Sequence, residues 1–399
     1  MLVGIIGKPS CGKSTFFRAA TLAEAEIANY PFTTIKPNHG VGYVKVECIE
    51  KEFKVKCNPR FGYCIDGIRF VPIDMLDVAG LVPGAHKGLG KGNEFLDDLN
   101  QAHVLIHVID IAGATNEKGE AIEPLSYDPA NDVKFLEVEL DMWYLRNITK
   151  GWEKFARQVQ QEKKEIQKAL AKQLSFLRTD EKMIEGVILK LGLNKEKPSE
   201  WTEDDLKRIA AELRKITKPM IIAANKVDIP GADKNFERIR KMFPDYIIIP
   251  CSSDSELALK EAAKKDLIKY IPGSSDFEIL DNGKLNEQQK KALEFIRKNV
   301  LKKFGSTGVQ QVLDDAVLKL LKYIAIFPGG VNKLSDKDGN VLPDCFLLPH
   351  GSTALDFAYH LHTDLGKKFI RAINVRTKMV VGKDYSLKHR DVIEIVTGK

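Results

Sequence analysis

The sequence has few aromatic residues and no long apolar run. Phe, Trp and Tyr make up 8% of its 399 residues, and no stretch approaches the roughly 18 consecutive apolar residues that a membrane-spanning helix needs. Residues 1–7 also lack the basic segment that opens a secretory signal peptide. These absences argue against a membrane or secreted protein, so we expect a cytoplasmic protein with no membrane partner.

Cysteine is also scarce and is not arranged in an obvious metal-binding pattern. The six cysteines include no Cys-x-x-Cys pair, and the closest two are Cys57 and Cys64. That spacing could supply two ligands of a zinc site, whereas scattered thiols in a reducing compartment need no partner. We favour free thiols.

Neither sign of charge dominates. The chain carries 61 Lys and Arg against 55 Asp and Glu, a net charge of +6, and 44% of its residues are apolar. The basic excess lies in residues 150–218, with 17 basic and 12 acidic side chains, and in residues 301–399, with 15 and 10. These segments could bind RNA phosphates, although a basic excess on helices is also typical of a solvated surface.

Short apolar runs alternate with helical patterns over much of the chain. The runs, which we interpret as strands, cover residues 3–6, 71–76, 104–109, 220–224 and 246–249. Uninterrupted apolar strands separated by helices are typical of a parallel sheet covered on both faces. The predicted fold class is therefore α/β with a mostly parallel sheet, and the length predicts two or three domains.

The pattern changes twice along the chain. After the third run, apolar residues recur at helical spacing, and a second helix begins at Thr202 and stops before Pro219. From residue 323 onward, short strands and turns return with one helix. We predict an α/β domain of residues 1–130 and 219–322, an inserted helical hairpin of residues 131–218 with Trp152 and Phe155 in its core, and a small α+β domain of residues 323–399.

A glycine-rich loop directly follows the first apolar run. It fits the pattern G-x-x-x-x-G-K-[ST] between a strand and a helix, which is the context in which this motif binds phosphates. Its N–H groups would point at a polyphosphate, while Lys13 reaches the β and γ oxygens and the Ser14 hydroxyl binds Mg²⁺. The predicted nucleotide-binding residues here are Gly7, Lys8, Pro9, Ser10, Cys11, Gly12, Lys13, Ser14 and Thr15.

An acidic motif closes the second apolar run. In Asp77-Val78-Ala79-Gly80 the carboxylate lies at a strand end and the glycine begins a loop. Asp77 would hold a water on Mg²⁺, and the Gly80 N–H would bond the γ-phosphate, a contact that hydrolysis removes. Alone, this pattern is as often a simple turn. Together with the glycine-rich loop it predicts a nucleotide-dependent switch.

Base recognition is predicted at the ends of the last two runs. In Asn225-Lys226-Val227-Asp228, the Asp228 carboxylate could accept hydrogen bonds from N1–H and the 2-amino group of guanine, a donor pair that adenine lacks. Asn225 could hold the loop and the far edge of the base, and Lys226 completes the motif. A backbone N–H of Ser252 or Ser253 could bond the 6-oxo group, although Cys251-Ser252-Ser253 is also a common kind of turn.

These motifs, in this order, resemble those of the Obg family of GTPases, and of its YchF-like branch in particular. The resemblance rests on residues 29–38 with their Tyr-Pro-Phe-Thr-Thr run, on residues 77–85, and on the helical insert. Residues 323–399 resemble a TGS domain, a ubiquitin-like β-grasp fold, through residues 348–359, 362–366 and 391–395.

The resemblance implies the remaining site residues. Thr34 would supply a further ligand to Mg²⁺ and its N–H to the γ-phosphate. The implied metal-binding residues are then Ser14, Thr34 and Asp77, and the implied catalytic residues are Lys13, Thr34 and Gly80. Leu81 stands where many GTPases have a water-orienting Gln, which implies slow intrinsic hydrolysis.

Two positions decide between branches of the family. Ser10 replaces the Asn that helps many Obg proteins to bind potassium, which puts potassium stimulation in doubt. The base-recognition motif at residues 225–228, which is often altered in ATP-using YchF proteins, is intact. We therefore expect GTP and GDP as the ligands.

The sequence thus predicts a Mg²⁺-dependent GTPase that acts as a switch with the ribosome or structured RNA, and no DNA partner. Two alternatives stay open: an RNA-binding adaptor in which the nucleotide mainly stabilises the fold, and an ATP-using P-loop ATPase. His86 could approach the attacking water. His360 and His362 would point apart on a helix, so no two-histidine metal site is expected.

Overall fold

The computed structural model describes residues 1–22, 38–78, 99–281 and 283–398. The chain forms two compact units, Met1–Phe17 with Met75–Ser253 and Arg18–Asp74 with Asp254–Lys399. It passes from one unit to the other within the helix Lys13–Thr21, the strand Ile68–Asp77 and the helix Ser253–Lys264. The domain boundaries expected at residues 130, 218 and 322 stay a prediction.

The first unit is built on a parallel sheet. Its strands lie in the order Leu2–Ile6, Val104–Asp110, Met220–Asn225 and Ile248–Pro250, and each neighbouring pair is parallel. Every residue of the two central strands is buried. Strands buried on both faces need apolar residues at every position, which explains the uninterrupted apolar runs. The predicted parallel α/β arrangement is confirmed.

The helical insert follows the strand Val104–Asp110. Its first and last helices pack against each other, and the Tyr144 hydroxyl lies 2.6 Å from the Thr217 hydroxyl. Two 3-10 turns, Ser175–Leu177 and Pro198–Glu200, lie between helices. The insert contains five α-helices: Ala130–Thr149, Trp152–Gln161, Ile166–Gln173, Glu181–Leu191 and Glu203–Thr217.

The insert is helical as predicted, but it has more helices than the two of a hairpin. Lys163 and Arg178 adopt φ of +50° and +60°, so the chain turns at both places. The apolar spacing nevertheless continues across these turns, because Ile166, Leu174 and Leu177 are all buried. Periodicity alone could not reveal the breaks. The last helix starts as predicted at Thr202, whose side chain forms a capping box with Asp205.

Aromatic side chains occupy the core of the insert. The rings of Trp152 and Trp201 stack with centroids 5.6 Å apart, and Phe155 packs against the same cluster. The Trp201 indole N–H donates to the carbonyl of Asn194 at 3.0 Å. The predicted core role of Trp152 and Phe155 is confirmed.

The second unit begins with a group of strands. His39–Glu47 lies beside Ile68–Asp77, which also pairs antiparallel with Tyr63–Ile65, with Cys64 opposite Arg69. A 3-10 turn, Ile49–Lys51, follows the first strand. The helical elements are Ser253–Lys264, Glu287–Ile296, Lys302–Phe304 and Val309–Asp314, with π-helical turns at Arg297–Leu301 and Asp315–Leu320. Ile268–Lys269 and Glu278–Ile279 form a two-stranded sheet.

The C-terminal part of the second unit has its own five-stranded sheet. Its strand order is Phe346–Pro349, Tyr323–Pro328, Asp391–Thr397, Phe369–Asn374 and Met379–Val381. The helix Ala354–Leu361 is capped by Thr353 and buries Phe357 in the sheet's core, and Thr363–Lys367 follows it. This arrangement confirms that the region mixes helices with a sheet of its own.

No helix in the described part of the chain combines the length and the apolar character that crossing a bilayer requires.

We expect Trp201→Ala to destabilise the helical insert by about 3 to 5 kcal/mol, because the substitution empties a buried aromatic site and removes the bond to Asn194. Urea unfolding followed by circular dichroism would measure this loss. The control is Lys207→Ala, an exposed position on the next helix, which should change stability by less than about 0.5 kcal/mol. An equal unfolding midpoint for the two variants would contradict the packing described here.

Candidate functional site

The carboxyl ends of the parallel strands meet at one edge of the first unit's sheet. The glycine-rich loop follows Leu2–Ile6, and Asp110 and Asn225 are the last residues of the next two strands. The Val78 N–H bonds the Ile5 carbonyl at 3.1 Å, which places Asp77 at the same edge. In open α/β sheets this edge is where ligands bind.

The glycine-rich loop has a conformation that depends on its glycines. Ser10 and Gly12 adopt φ of +59° and +93°. A Cβ on Gly12 would lie 2.1 Å from the Asn225 side-chain nitrogen, and one on Gly7 would lie 2.4 Å from the Val108 carbonyl oxygen. Both positions therefore exclude any side chain. Cys11 is fully buried, and burial raises the pKa of its thiol to about 12, so the thiol stays neutral.

Three residues predicted to bind phosphate and metal come together at the start of the helix Lys13–Thr21. Lys13 Nζ lies 3.0 Å from one carboxylate oxygen of Asp77, and the Ser14 hydroxyl lies 3.4 Å from the other. Ser14 is exposed, Lys13 is partly buried, and Thr15 lies in the first helical turn. A hydroxyl and a carboxylate side by side are the hard oxygen ligands that Mg²⁺ prefers, so the residues present fit the predicted metal.

Asn225 connects the loop to the next strand end. Its amide nitrogen donates to the Cys11 carbonyl at 3.0 Å, and its amide oxygen accepts from the Ser253 N–H at 3.0 Å and the Ser253 hydroxyl at 2.8 Å. The Ser253 N–H is thus engaged with Asn225. Within this group, Asp228 is partly buried and Ser252 is buried.

Lys226 makes a second connection that the sequence did not reveal. Its ammonium donates to the Ser10 carbonyl and to Asp110 Oδ2, each at 2.9 Å. Asp110 is fully buried, and it also accepts bonds from Thr115 and the Ala112 N–H. The available signal was an acidic residue at the end of an apolar run, the pattern that identified Asp77.

The side chain of Lys8, a residue of the glycine-rich loop, forms a buried ion pair. Its ammonium lies 2.9 Å from Asp132 Oδ2, donates to the Thr115 carbonyl at 2.9 Å, and lies 3.8 Å from the centre of the Tyr127 ring. Burial raises the pKa of Asp132, whereas the Lys8 charge acts in the opposite direction. Lys8 is therefore a structural cation in this arrangement, and no pattern in the sequence marked Asp132 or Tyr127 as its partners.

Several predicted positions lie outside the described residues. They are Thr33, Thr34, Gly80, Leu81 and His86, together with residues 29–37 and 79–85 of the two switch motifs.

Comparison with known families matches three segments of this chain. Residues 2–138 match the family of 50S ribosome-binding GTPases, residues 223–330 match the Obg-like GTPase YGR210-like, G4 motif-containing domain, and residues 334–397 match the TGS domain. A GTP-binding protein of Methanocaldococcus jannaschii is 54% identical over 397 residues, which cover 99% of each chain. The chain belongs to the YchF-like branch of the Obg family of GTPases.

Two further relatives support this Obg-family assignment. The crystal structure of a GTP-binding protein from Pyrococcus horikoshii superposes with a TM-score of 0.79 and 38% identity, covering all of both chains. The ribosome-binding ATPase YchF of Buchnera aphidicola is 28% identical over 374 residues, 92% of this chain and 86% of that protein. The similarity to the Pyrococcus protein thus extends over the whole chain, and that protein and the Methanocaldococcus relative are both named for GTP binding.

We expect Gly12→Ala to weaken GTP binding by more than about tenfold, or about 1.4 kcal/mol. The added Cβ would collide with the Asn225 amide, and the backbone angle at Gly12 is one that side chains disfavour. Titration with a fluorescent GTP analogue would measure the change. The matched control is Gly186→Ala, because a Cβ there meets nothing within 4 Å. If both variants bind GTP like the unmodified protein, the close packing of Gly12 against Asn225 does not determine GTP affinity.

Proposed function

We propose that this protein is a GTPase that hydrolyses GTP to GDP and phosphate and works as a nucleotide-dependent switch with the ribosome. The observation that carries the proposal is the convergence of Lys13, Ser14 and Asp77 at the start of one helix, with ion-pair and hydrogen-bond distances of 3.0 and 3.4 Å. The β and γ phosphates of a nucleotide require a nearby cation, which Lys13 supplies, and oxygen ligands for Mg²⁺, which Ser14 and Asp77 supply.

The phosphate-binding part of the proposal follows from these contacts. Lys13 would exchange Asp77 for the phosphate oxygens, while N–H groups of the loop and of the helix start point at the same charge. Ser14 and Asp77, with Thr34, would hold Mg²⁺, which supplies neutralising charge to the phosphates when it is bound. Lys13 and the N–H groups of the loop would stabilise charge on the β and γ phosphate oxygens while water attacks in line. Gly80 and Leu81 complete the proposed switch, and hydrolysis without a Gln at residue 81 is slow.

The proposal assigns the base to the loop at residues 225–228. Asn225 and Lys226 are engaged with the glycine-rich loop through Cys11 and Ser10, so they position the base-binding loop. Asp228 is left as the side chain that would read the base, and its carboxylate suits the donor pair of guanine. Relatives carry names of both GTP-binding protein and ATPase, which makes nucleotide choice the first property to measure.

We expect Asp228→Asn to lower GTP affinity by about 2 to 4 kcal/mol and to shift preference toward xanthosine triphosphate, because an amide opposes the guanine N1–H with a donor of its own. Competition binding with GTP, ATP and xanthosine triphosphate would measure both effects. Asp245→Asn is the matched control, an exposed aspartate in the same unit.

Two outcomes would contradict this assignment. One is unchanged GTP affinity in Asp228→Asn while Lys13→Ala removes binding, which would place the base elsewhere. The other is equal competition by ATP and GTP in the unmodified protein, which would favour the ATPase alternative.

A ribosomal or structured-RNA partner is proposed from names and charge. Residues 2–138 match a family described as ribosome-binding, and the YchF of Buchnera aphidicola carries the same description. On the C-terminal sheet, Ile370, Met379 and Val380 are each at least 60% exposed, and Lys367 and Lys378 are exposed on the same small fold. Exposed apolar and basic groups together suit an RNA or ribosomal surface. With such a partner, we expect the protein to act in the cytoplasm.

We expect the double variant Lys367→Glu with Lys378→Glu to pellet less with purified ribosomes at low salt, and its difference from the unmodified protein to shrink as salt is raised, because salt screens phosphate contacts. The control is Lys291→Glu with Lys298→Glu, two exposed lysines in the same unit with the same change in charge. Pelleting is compared with GDP and with a non-hydrolysable GTP analogue. A switch requires different affinities in the two nucleotide states. Equal affinities would favour the RNA-binding adaptor, and equal pelleting of both variants would exclude this lysine pair.

A further inference from the structure

Three cysteines and one glutamate of the second unit form a compact cluster outside the nucleotide site. The cluster consists of Cys48, Glu50, Cys57 and Cys64, and one ligand atom from each lies within 4.8 Å of the others. Cys48 and Cys57 are buried, and the other two are partly buried. Among the described residues, this is the one group of three or more His, Cys, Asp or Glu side chains whose ligand atoms come this close together.

The distances within the cluster match a tetrahedral zinc site. Zinc bonds sulfur at about 2.3 Å, so two sulfurs on one tetrahedral ion are separated by about 3.8 Å. Cys48 Sγ and Cys57 Sγ are 3.8 Å apart, and Cys64 Sγ lies 3.8 Å from Glu50 Oε1. The spacing is too long for a disulfide, whose sulfurs are about 2.05 Å apart.

The glutamate is oriented by the loop that carries the second cysteine. Glu50 Oε2 accepts the Cys57 N–H at 3.0 Å, and this bond turns Oε1 toward Cys64. Ligands of structural metals are commonly held by such a hydrogen bond on their second oxygen. Glu50 can therefore serve as the fourth ligand without rearrangement.

A buried arginine beside the cluster supplies the matching charge. Arg69 is fully buried and pairs across the strands with Cys64. One of its Nη atoms bonds the Leu342 carbonyl, whereas Nε and the other Nη have no hydrogen-bond partner in the described residues. Three thiolates, one carboxylate and a divalent ion carry a net charge of −2, and a buried cation becomes favourable next to such a site.

The cluster also lies where the chain has little regular structure of its own. Residues 52–62 form neither helix nor strand. They are held by backbone bonds from Asn58 to the Val341 carbonyl at 2.8 Å and from Arg60 to the Pro343 carbonyl at 2.9 Å. A metal that joins residues 48–64 would close this loop and stabilise its attachment to the C-terminal part of the unit.

We propose that Cys48, Glu50, Cys57 and Cys64 bind one structural Zn²⁺ ion. Thiolate ligands select zinc over Mg²⁺ and Ca²⁺, and four protein ligands leave no open position for a substrate. The site is separate from the nucleotide chemistry, so the GTPase proposal and the zinc proposal can fail independently.

The test measures metal content and stability of the full chain. Protein purified under reducing conditions without chelators should contain close to one zinc per chain by mass spectrometry of the metals. Cys57→Ser and Cys64→Ser should lose most of it, whereas Cys345→Ser, a cysteine of the same apolar cluster outside the ligand set, should retain it. Should the serine variants fold poorly, metal exchange on the unmodified protein provides a second readout. Co²⁺ added after chelation should give the visible absorption of a tetrahedral thiolate complex, and zinc should restore the thermal midpoint lowered by the chelator.

Three results would overturn the proposal: metal-free protein with reduced thiols whose thermal midpoint does not respond to zinc, a Cys48–Cys57 disulfide in protein isolated from cells, or zinc retained by both Cys57→Ser and Cys64→Ser.

Discussion

The side-chain amide of Asn225 is the contact on which the nucleotide site depends. It donates to the glycine-rich loop at Cys11 and accepts two bonds from Ser253, so one buried group joins three segments that are far apart in sequence. The position of this amide also requires glycine at residue 12, because a Cβ there would collide with the Asn225 side-chain nitrogen. A buried amide with all these bonds satisfied gives a unique geometry, whereas losing any partner would leave a polar atom unpaired.

Two lysines, the buried Lys8 and the partly buried Lys226, reinforce this arrangement. Lys226 joins Ser10 to Asp110, and Lys8 is held by Asp132. Removing either lysine would leave a buried carboxylate, Asp110 or Asp132, without its counter-charge, which costs more than the pair contributes. The loop is therefore held in shape by charges that need not contact the nucleotide. Lys8, although it lies inside the motif, therefore stabilises the fold, whereas Lys13 lies at the start of its helix beside Asp77.

The sequence predicted those parts of the protein that local patterns encode. Apolar runs marked the strands, and the motif residues at their ends met at one edge because parallel strands place their carboxyl ends together. The partners of Lys8 and Lys226 lie more than a hundred residues away, and no local pattern records such pairs. For the same reason Cys57 and Cys64 suggested at most half of a metal site. Cys48 and Glu50 join them through the folding of the loop, in which the Cys57 N–H donates to Glu50 and the Cys48 N–H donates to the Gly67 carbonyl.

Contacts within the second unit connect the strand that follows the first proposed switch segment to the C-terminal fold. The strand His39–Glu47 directly follows the residues that the family resemblance assigns to the first switch. Arg390, in the C-terminal fold, bonds the Glu47 carbonyl at 3.1 Å and also pairs with the carboxylates of Glu47 and Glu52. Cys48 and Cys57 share an apolar cluster with Phe327 and other residues of that fold.

A change that begins at the first switch would therefore reach the C-terminal fold through one strand and one loop of the same unit. Coupling of this kind requires an element that can adopt two arrangements, and the nucleotide and the ribosome must each bind one arrangement more tightly than the other. The same packing means that residues 323–399 are not an independent appendage. Cutting the chain at residue 322 would expose Cys48, Ile49 and Cys57, so loss of ribosome binding in such a truncation would not by itself locate the contact surface.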